Sequence, residues 1–238
     1  MQPMEDFPIT STIGLLSIVE KYQPETMFRG HSDASWSLLP SLSRFSKCVG
    51  GYDNIADLES HLLEKFLQYA MPFRDLRALP YIEQLVHCQH FGLPTRLLDW
   101  STNPIKALFF AVEDPRMDGV DGAVYITEPT GWWEGTNNIK SVDSLAAFFP
   151  ELLHDRVGAQ DACFIAFPYP AKGMEIAEMT AMNYPGELEF LFRVLVPKRS
   201  KRELRRQLAT LGVGHHTVYP GLDGVAKWVK SRLSNFGV

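Results

Sequence analysis

Long apolar runs are missing from this 238-residue chain. No stretch of about 18 consecutive apolar residues occurs, and a membrane-spanning helix needs roughly that length. The first residues are acidic before they are apolar, so the basic segment that opens a secretory signal peptide is missing as well. Both absences predict a cytoplasmic protein with no membrane partner.

Cysteine is scarce, with three residues at Cys48, Cys88 and Cys163 and no CxxC pair. An odd and scattered set does not build a disulfide framework and is typical of a reducing compartment. Spacing suited to a metal is also missing, because His87, Cys88 and His90 have no further ligand nearby in the sequence. No metal cofactor is therefore predicted.

Positive charge is not in excess, since 23 Lys and Arg residues face 28 Asp and Glu residues. The net charge of -5 argues against general attraction to nucleic acid. The basic run Lys198–Arg206 is interpreted as a solvated helix face, although a nucleic-acid partner would contact the chain there. Neither GxGxxG nor GxxxxGK[ST] occurs, so neither a Rossmann dinucleotide site nor a P-loop is predicted.

The hydrophobic content of 45% is typical of a globular protein, and the length suits one domain over residues 1–238. Apolar spacing predicts helices over residues 11–21, 55–71, 79–91, 104–112, 199–211 and 222–234. Strand-like runs cover residues 25–31, 94–100, 122–127, 162–167 and 188–196, and a proline-broken extended segment covers 36–42. The pattern favours an α+β fold with a helical insertion at about 55–91.

The stretch from residue 89 to residue 104 combines His90, Thr95, Arg96 and Asp99 with two prolines and a glycine. Stiff loops of this composition hold polar groups in fixed positions, as a binding site requires. One of the three polar residues before Pro104 is expected to cap the following helix, whose N-terminus also suits an anion. Alternatively, the stretch is a structured turn in which Arg96 and Asp99 form a local ion pair.

A second polar cluster begins at Arg29 and continues through Gly30 and His31 to Trp36. Arg29 offers a planar fork for phosphate or carboxylate, and the neighbouring Gly30 permits close approach of a ligand. Trp36 suits stacking against a base. Alternatively, Arg29 pairs with a nearby acidic residue and Trp36 belongs to the core.

Four motifs in these stretches resemble those of a known family. They are Phe28-Arg29-Gly30, the Trp-x-Leu-x-Pro motif at 36–40, the long motif at 89–100, and a closing motif at 212–224. Together they resemble the FRG domain family, named for the first tripeptide, over about residues 20–230. Members are scattered through bacteria and phages, and their biochemical role is poorly defined.

The same residues are also similar to ADP-ribosyltransferases of the Arg-Ser-Glu type. Phe28-Arg29-Gly30 matches the arginine of their first strand, residues 100–103 match their Ser-Thr-Ser strand, and residues 187–189 match their late glutamate motif. Asn103 departs from the pattern at the third Ser-Thr-Ser position. The resemblance implies a split, strand-rich core of the ADP-ribosyltransferase type, with an inserted helical lobe and C-terminal helices.

That resemblance also implies roles for individual residues, with NAD as the substrate. Arg29 would clamp the phosphates, Ser101 and Thr102 would order the nicotinamide ribose, and Glu189 would stabilise the positive charge as nicotinamide leaves. The ligand-binding residues would be His31, Trp36, His90, Thr95, Arg96, Asp99, Gln160 and Glu187. Alternatively, Glu187 and Glu189 face solvent, because they alternate with apolar residues along one strand.

The resulting prediction is an effector domain that binds and cleaves NAD, as a transferase acting on protein or nucleic acid or as an NAD glycohydrolase. Bacterial families of this kind often act as toxins or in phage defence, and either role is an expectation here. Two alternatives stay open. One is a non-enzymatic module that senses a nucleotide and signals to a partner, and the other is a metal-independent nuclease that uses His31 or His90 with Asp99 and Arg96.

Overall fold

The structure is a computed structural model that describes residues 7–48, 51–134, 139–151 and 155–233. A seven-stranded sheet with the order β1-β7-β4-β2-β3-β6-β5 forms its centre. The strands are β1 (Phe7–Pro8), β2 (Met27–His31), β3 (Leu97–Ser101), β4 (Gly122–Pro129), β5 (Ala146–Phe148), β6 (Ala162–Ala166) and β7 (Leu188–Val196). β1 runs parallel to β7, and the other neighbouring strands are antiparallel.

Eight helices accompany the sheet over these residues, which confirms a mixed fold of helices and strands. They are α1 (Thr12–Val19), α2 (Ile55–Ala70), α3 (Tyr81–His90), α4 (Pro104–Val112), α5 (Asp155–Ala159), α6 (Lys201–Thr210), α7 (His215–Val218) and α8 (Leu222–Ser231). α2 and α3 occupy the region where a helical insertion was predicted. Among the described residues, no helix is long and apolar enough to cross a membrane.

The core has three clusters, each arising where the apolar side of an element meets the sheet. α1, α4 and α6 cover the half of the sheet that contains β2, β4 and β7, in a cluster that includes the fully buried Leu108 and Val124. α3 covers the other half, in a cluster that includes Leu85 and Phe164 of β6. Loops and the start of α2 cover the opposite face of the sheet. The boundary between the region covered by α3 and the region covered by α4 therefore lies over β3.

Helix α4 lies where residues 104–112 predicted it, because its start is fixed by two sequence features. Pro104 occupies the first helical position, and the Asn103 side chain accepts hydrogen bonds from the amides of Ile105 and Lys106 at 3.0 and 3.4 Å. Asn103 is thus the cap expected among the three polar residues before Pro104. The cap fixes the direction in which the chain leaves β3.

The elements that the sequence analysis missed are short. β1, β5, α5 and α7 have two to five residues each, too few for a clear apolar period. The predicted extended segment over 36–42 is wrong, because the chain there is a loop that enters a 3-10 helix at Ser41. Leu38 and Leu42 anchor that loop in the core, and both side chains are almost fully buried.

Gly30 lies where α4 crosses β2. A Cβ atom at this position would lie 1.9 Å from the carbonyl oxygen of Ala107 and 2.6 Å from the amide nitrogen of Ala111. Both are backbone atoms of a capped helix and have little freedom to move. The missing side chain therefore makes room for α4, a different reason from the close ligand approach predicted from the sequence.

Replacing Gly30 with alanine is expected to destabilise the fold by about 3 kcal/mol, because α4 must shift away from the sheet. Gly119→Ala is the matched control, since a Cβ atom there meets nothing within 4 Å. That variant is expected to stay within about 0.5 kcal/mol of the wild type. Urea denaturation measures both, and equal stabilities of the two variants would contradict the packing argument.

Candidate functional site

A cleft of about 380 Å³ opens where β2 and β3 separate. The two strands are joined in register at Phe28 and Ser101, whereas β2 pairs with β4 at five successive positions. Residues 28–30 of β2 and residues 99–101 of β3 all line the cleft. Since consecutive strand residues point to opposite faces, the cleft follows the separated strand edges instead of covering one face of the sheet.

Arg29 spans the gap between the two strands. Its Nη1 donates a hydrogen bond to the backbone oxygen of Asp99 at 2.5 Å, and its Nε donates to Nε2 of His31 at 3.0 Å. The Asp99 carboxylate lies 3.8 Å from Nη1. Within the described part of the chain, no hydrogen bond takes Nη2. Arg29 therefore retains donors for an anion while the rest of its guanidinium is fixed.

His31 is a neutral acceptor in this arrangement. Burial, reinforced by the positive charge of Arg29, lowers the pKa of His31 from 6.5 to about 3. Its side chain is enclosed by Tyr125 and Trp36, whose ring centroids lie 5.0 and 6.0 Å away. At neutral pH, His31 thus orients Arg29 and carries no charge of its own.

Asp99 is held by a relay of side chains from its own sequence motif. The Thr95 hydroxyl donates to Oε1 of Gln89, which leaves the Gln89 amide nitrogen to donate to Asp99 Oδ1 at 2.6 Å. Thr95 is fully buried, whereas half of the Asp99 side chain is exposed to the cleft. Thr95 was predicted to bind a ligand, but it acts from behind the site by orienting Gln89.

Arg96, which was predicted to bind a ligand, does not line the cleft. Its side chain is fully buried and pairs with Glu59 of α2, with Nε 3.6 Å from Oε2. The Arg96 amide donates to the other Glu59 oxygen at 2.6 Å, and Nη1 donates to the backbone oxygen of Phe167 at 3.1 Å. A buried guanidinium is stable only with such partners, which a sequence motif does not reveal.

The hydroxyl residues after Asp99 have structural partners. The Ser101 hydroxyl lines the cleft and donates to the backbone oxygen of Gln160 at 2.7 Å, which holds the loop before β6. The Thr102 amide donates to the backbone oxygen of Asp161 at 2.9 Å, and Thr102 does not line the cleft. Gln160 lines the cleft as predicted from the sequence, and its side chain donates to the backbone oxygen of Val218 at 3.2 Å.

A smaller cavity of about 70 Å³ adjoins the cleft. Asp99, Arg156 and Gln160 border both spaces. Gln89 and His90 line the smaller cavity, so His90 lies beside the cleft and not within its wall. This smaller cavity is called the side chamber below.

The structure does not bring Glu187 and Glu189 to the cleft. Glu187 precedes β7 and accepts a hydrogen bond from the Leu145 amide at 2.6 Å. Arg29 is level with Arg193 across β4, so Glu189 lies four residues further along β7, about 13 Å away along the strand. The side chain of Glu189 is exposed. The single site predicted from Arg29, Ser101 and Glu189 is therefore not assembled.

Three residues that line the cleft were not predicted from the sequence: Glu113 at the end of α4, Arg156 of α5 and Tyr219 after α7. The Tyr219 hydroxyl donates to both Glu113 oxygens at 2.9 and 3.0 Å. Burial raises the pKa of Glu113, although the Tyr219 hydrogen bond opposes the change. Tyr219 lies within the closing motif at 212–224, which was the available signal.

The predicted basic patch is partly internal. Lys201 is fully buried, and its ammonium group donates to the backbone oxygens of Ser32 and Met117 at 2.6 and 2.8 Å. The Arg205 guanidinium donates two hydrogen bonds to the Asp118 carboxylate. These two charges stabilise the wall behind the cleft and leave fewer cations on the exposed helix face.

The FRG domain family profile matches residues 24–119. The chain contains an FRG domain. The match includes both strands that border the cleft, the Phe28-Arg29-Gly30 tripeptide and the motif at 89–100. It ends before the closing motif, so Tyr219 reaches the cleft from outside the matched residues. No curated protein and no solved structure shows significant similarity to the chain.

The described residues of the chain contain no group of three His, Cys, Asp or Glu side chains arranged to hold a metal ion. Two basic residues, Arg29 and Arg156, line the cleft together with three acidic residues, Asp99, Glu113 and Asp114. Such a cleft is equipped to bind a polar molecule that has both anionic and hydroxyl groups.

Removing either member of the buried pair in the FRG domain is expected to cost about 3–5 kcal/mol, because an uncompensated charge stays behind. The single variants are Arg96→Ala and Glu59→Ala. The double variant is expected to lose less stability than the two single variants lose together. Arg116→Ala is the control: its ion pair with Asp114 is shorter, at 2.8 Å, but Arg116 is exposed to solvent, so a much smaller loss of stability than in either buried variant is expected. Additive effects in urea denaturation would refute the coupling.

His31 is expected to make stability depend on pH. Between pH 6.5 and about 3 the unfolded chain binds a proton that folded His31 excludes, so stability falls as the pH falls. The slope contributed is up to about 1.4 kcal/mol per pH unit. His31→Gln keeps an acceptor for Arg29 but does not titrate, so its stability should fall less steeply below pH 6.5. Parallel curves for variant and wild type would show that His31 is not responsible.

Proposed function

We propose that the FRG domain binds NAD in the cleft between β2 and β3 and cleaves the bond to nicotinamide, as an ADP-ribosyltransferase-like enzyme. The observation that carries the proposal is the pairing of Arg29 with Asp99 across the separated strands. It puts a cation with unused donors beside an exposed carboxylate in the same cleft. The Arg29 cation can bind the phosphates of a dinucleotide, and the Asp99 carboxylate can stabilise the charge that develops when its glycosidic bond breaks.

The walls of the cleft support binding of a nucleotide. Arg29 and Arg156 supply planar donor groups for phosphate oxygens. Trp36 lines the cleft with about half of its surface exposed, which leaves ring area for stacking on a base. The volume of about 380 Å³ falls within the range of about 300–1,000 Å³ that is common for small-molecule sites.

Asp99 is proposed to supply the charge that the reaction needs. The bond between the ribose C1′ atom and the nicotinamide nitrogen breaks, and its electron pair leaves with neutral nicotinamide. Positive charge then develops on the ribose until the acceptor bonds to C1′ and loses a proton. A carboxylate fixed before the reaction stabilises that charge without reorganising, and the hydrogen bond from Gln89 fixes Asp99. Asp99 thus replaces Glu189 in the proposed mechanism.

The two other functions suggested by the sequence receive different support. The nuclease would use Asp99 and Arg96 with either His31 or His90. Arg96 is fully buried, the acceptor nitrogen of His31 is occupied by Arg29, and His90 lines the side chamber but not the cleft. The nucleotide sensor needs the same cleft and differs in having no turnover, so the experiment has to separate binding from cleavage. A role as a toxin or in phage defence would follow from NAD depletion or from modification of a target.

Asp99→Asn is expected to lower nicotinamide release from NAD by at least about 100-fold, since it removes the stabilising charge. Glu189→Gln is the matched control, because it neutralises an exposed carboxylate outside the cleft and should retain wild-type turnover. Release is followed chromatographically, with cell extract added as a source of acceptors. The result contradicts the assignment if Glu189→Gln loses activity and Asp99→Asn retains it.

Binding is measured separately, by the rise in thermal stability that NAD produces. Arg29→Gln is expected to abolish this rise, whereas Asp99→Asn should keep it. Stabilisation of the wild type without nicotinamide release would favour the nucleotide sensor over the enzyme. If NAD neither stabilises the wild type nor releases nicotinamide, NAD is excluded as the ligand.

A further inference from the structure

The side chamber next to the cleft has no role in the function proposed so far. Its apolar lining residues include Val86, Val157 and Phe164, and its polar lining residues include Gln89 and His90. Three residues, Asp99, Arg156 and Gln160, border both the side chamber and the cleft. The two spaces therefore meet at the carboxylate to which the reaction is assigned.

We propose that the side chamber binds a planar ring with a polar substituent, the leaving group of an N-glycoside, while the sugar lies at Asp99 and the phosphates lie in the cleft. The proposal rests on NAD as the ligand of the FRG domain, for which that ring is nicotinamide. The lining residues between 86 and 90 and between 157 and 164 would then let the protein bind NAD in preference to ADP-ribose, the product that lacks the ring.

The residues that line both spaces support this division of the ligand. Asp99 is one of them, so a glycosidic bond that passes from the cleft to the side chamber beside it would have its sugar carbon near the carboxylate. Gln160 is another, and it is held twice: the Ser101 hydroxyl donates to its backbone oxygen, and its side chain donates to the backbone oxygen of Val218. A ring entering the side chamber would thus meet a fixed opening.

The shape and chemistry of the side chamber suit a small aromatic ring better than a phosphate or a sugar. The aliphatic and aromatic side chains in its lining favour a flat apolar surface. The amide of Gln89 and the imidazole of His90 suit a hydrogen-bonding substituent on that ring. The side chamber is also much smaller than the cleft, at about 70 Å³ compared with about 380 Å³.

Substitution of Ala162 can fill the side chamber without changing the three residues that line both spaces. It begins β6, pairs with Ser101 in the sheet and lines the side chamber but not the cleft. Ala162→Leu adds apolar volume inside the side chamber. Ala209→Leu makes the same change at an exposed position of α6 and is the control.

The experiment compares the affinities of the full chain for NAD and for ADP-ribose, which lacks the ring, by isothermal titration calorimetry. Ala162→Leu is expected to weaken NAD binding by at least about tenfold and to leave ADP-ribose binding unchanged. Unchanged ADP-ribose binding also establishes that the variant is folded. Ala209→Leu should bind both ligands like the wild type.

Three results would overturn the inference: equal weakening of both ligands, no weakening of either, or a wild type that binds NAD no more tightly than ADP-ribose. A second variant, Val157→Phe, fills the side chamber from α5 and has to give the same selectivity. The readout is binding, so it is distinct from the proposed cleavage. A wild type that binds NAD selectively but releases no nicotinamide would refute the enzyme and support the side chamber.

Discussion

The buried ion pair between Arg96 and Glu59 is the interaction on which the site depends. It joins α2 to the residue just before β3, and the Arg96 guanidinium also binds the chain after β6 through the backbone of Phe167. Asp99 follows three residues later on the same strand. A pair in this position cannot be lost without leaving a buried charge, so it fixes β3 and with it the carboxylate at the edge of the cleft.

The separation of β2 from β3 creates the cleft at whose edge the Asp99 carboxylate lies. Gly30 lets α4 pack against β2, and the capped start of α4 directs the chain away from β3 at Ser101. The strands therefore pair at one position and then diverge, and Arg29 replaces the missing strand contact with hydrogen bonds from its side chain. The same residues that join the two strands thus line the polar cleft.

The elements that the sequence predicts well are those whose signal is local. α4 has a proline and a cap at its start, and β7 is a long apolar run, so both were located to the residue. Arg96 and Glu189 were misplaced for a different reason, because a motif identifies a charged residue without telling whether it faces the core, the cleft or solvent. Glu113 and Tyr219 meet across 106 positions of the chain, and no local pattern brings them together.

The central claim is that the gap between β2 and β3 holds the ligand, and a crystal structure with bound ADP-ribose tests it most directly. The account predicts the diphosphate within hydrogen-bonding distance of Arg29, a ribose hydroxyl at the Asp99 carboxylate, and an unfilled side chamber. The ligand bound on another surface, with the contacts between Arg29, His31 and Asp99 undisturbed, would contradict it.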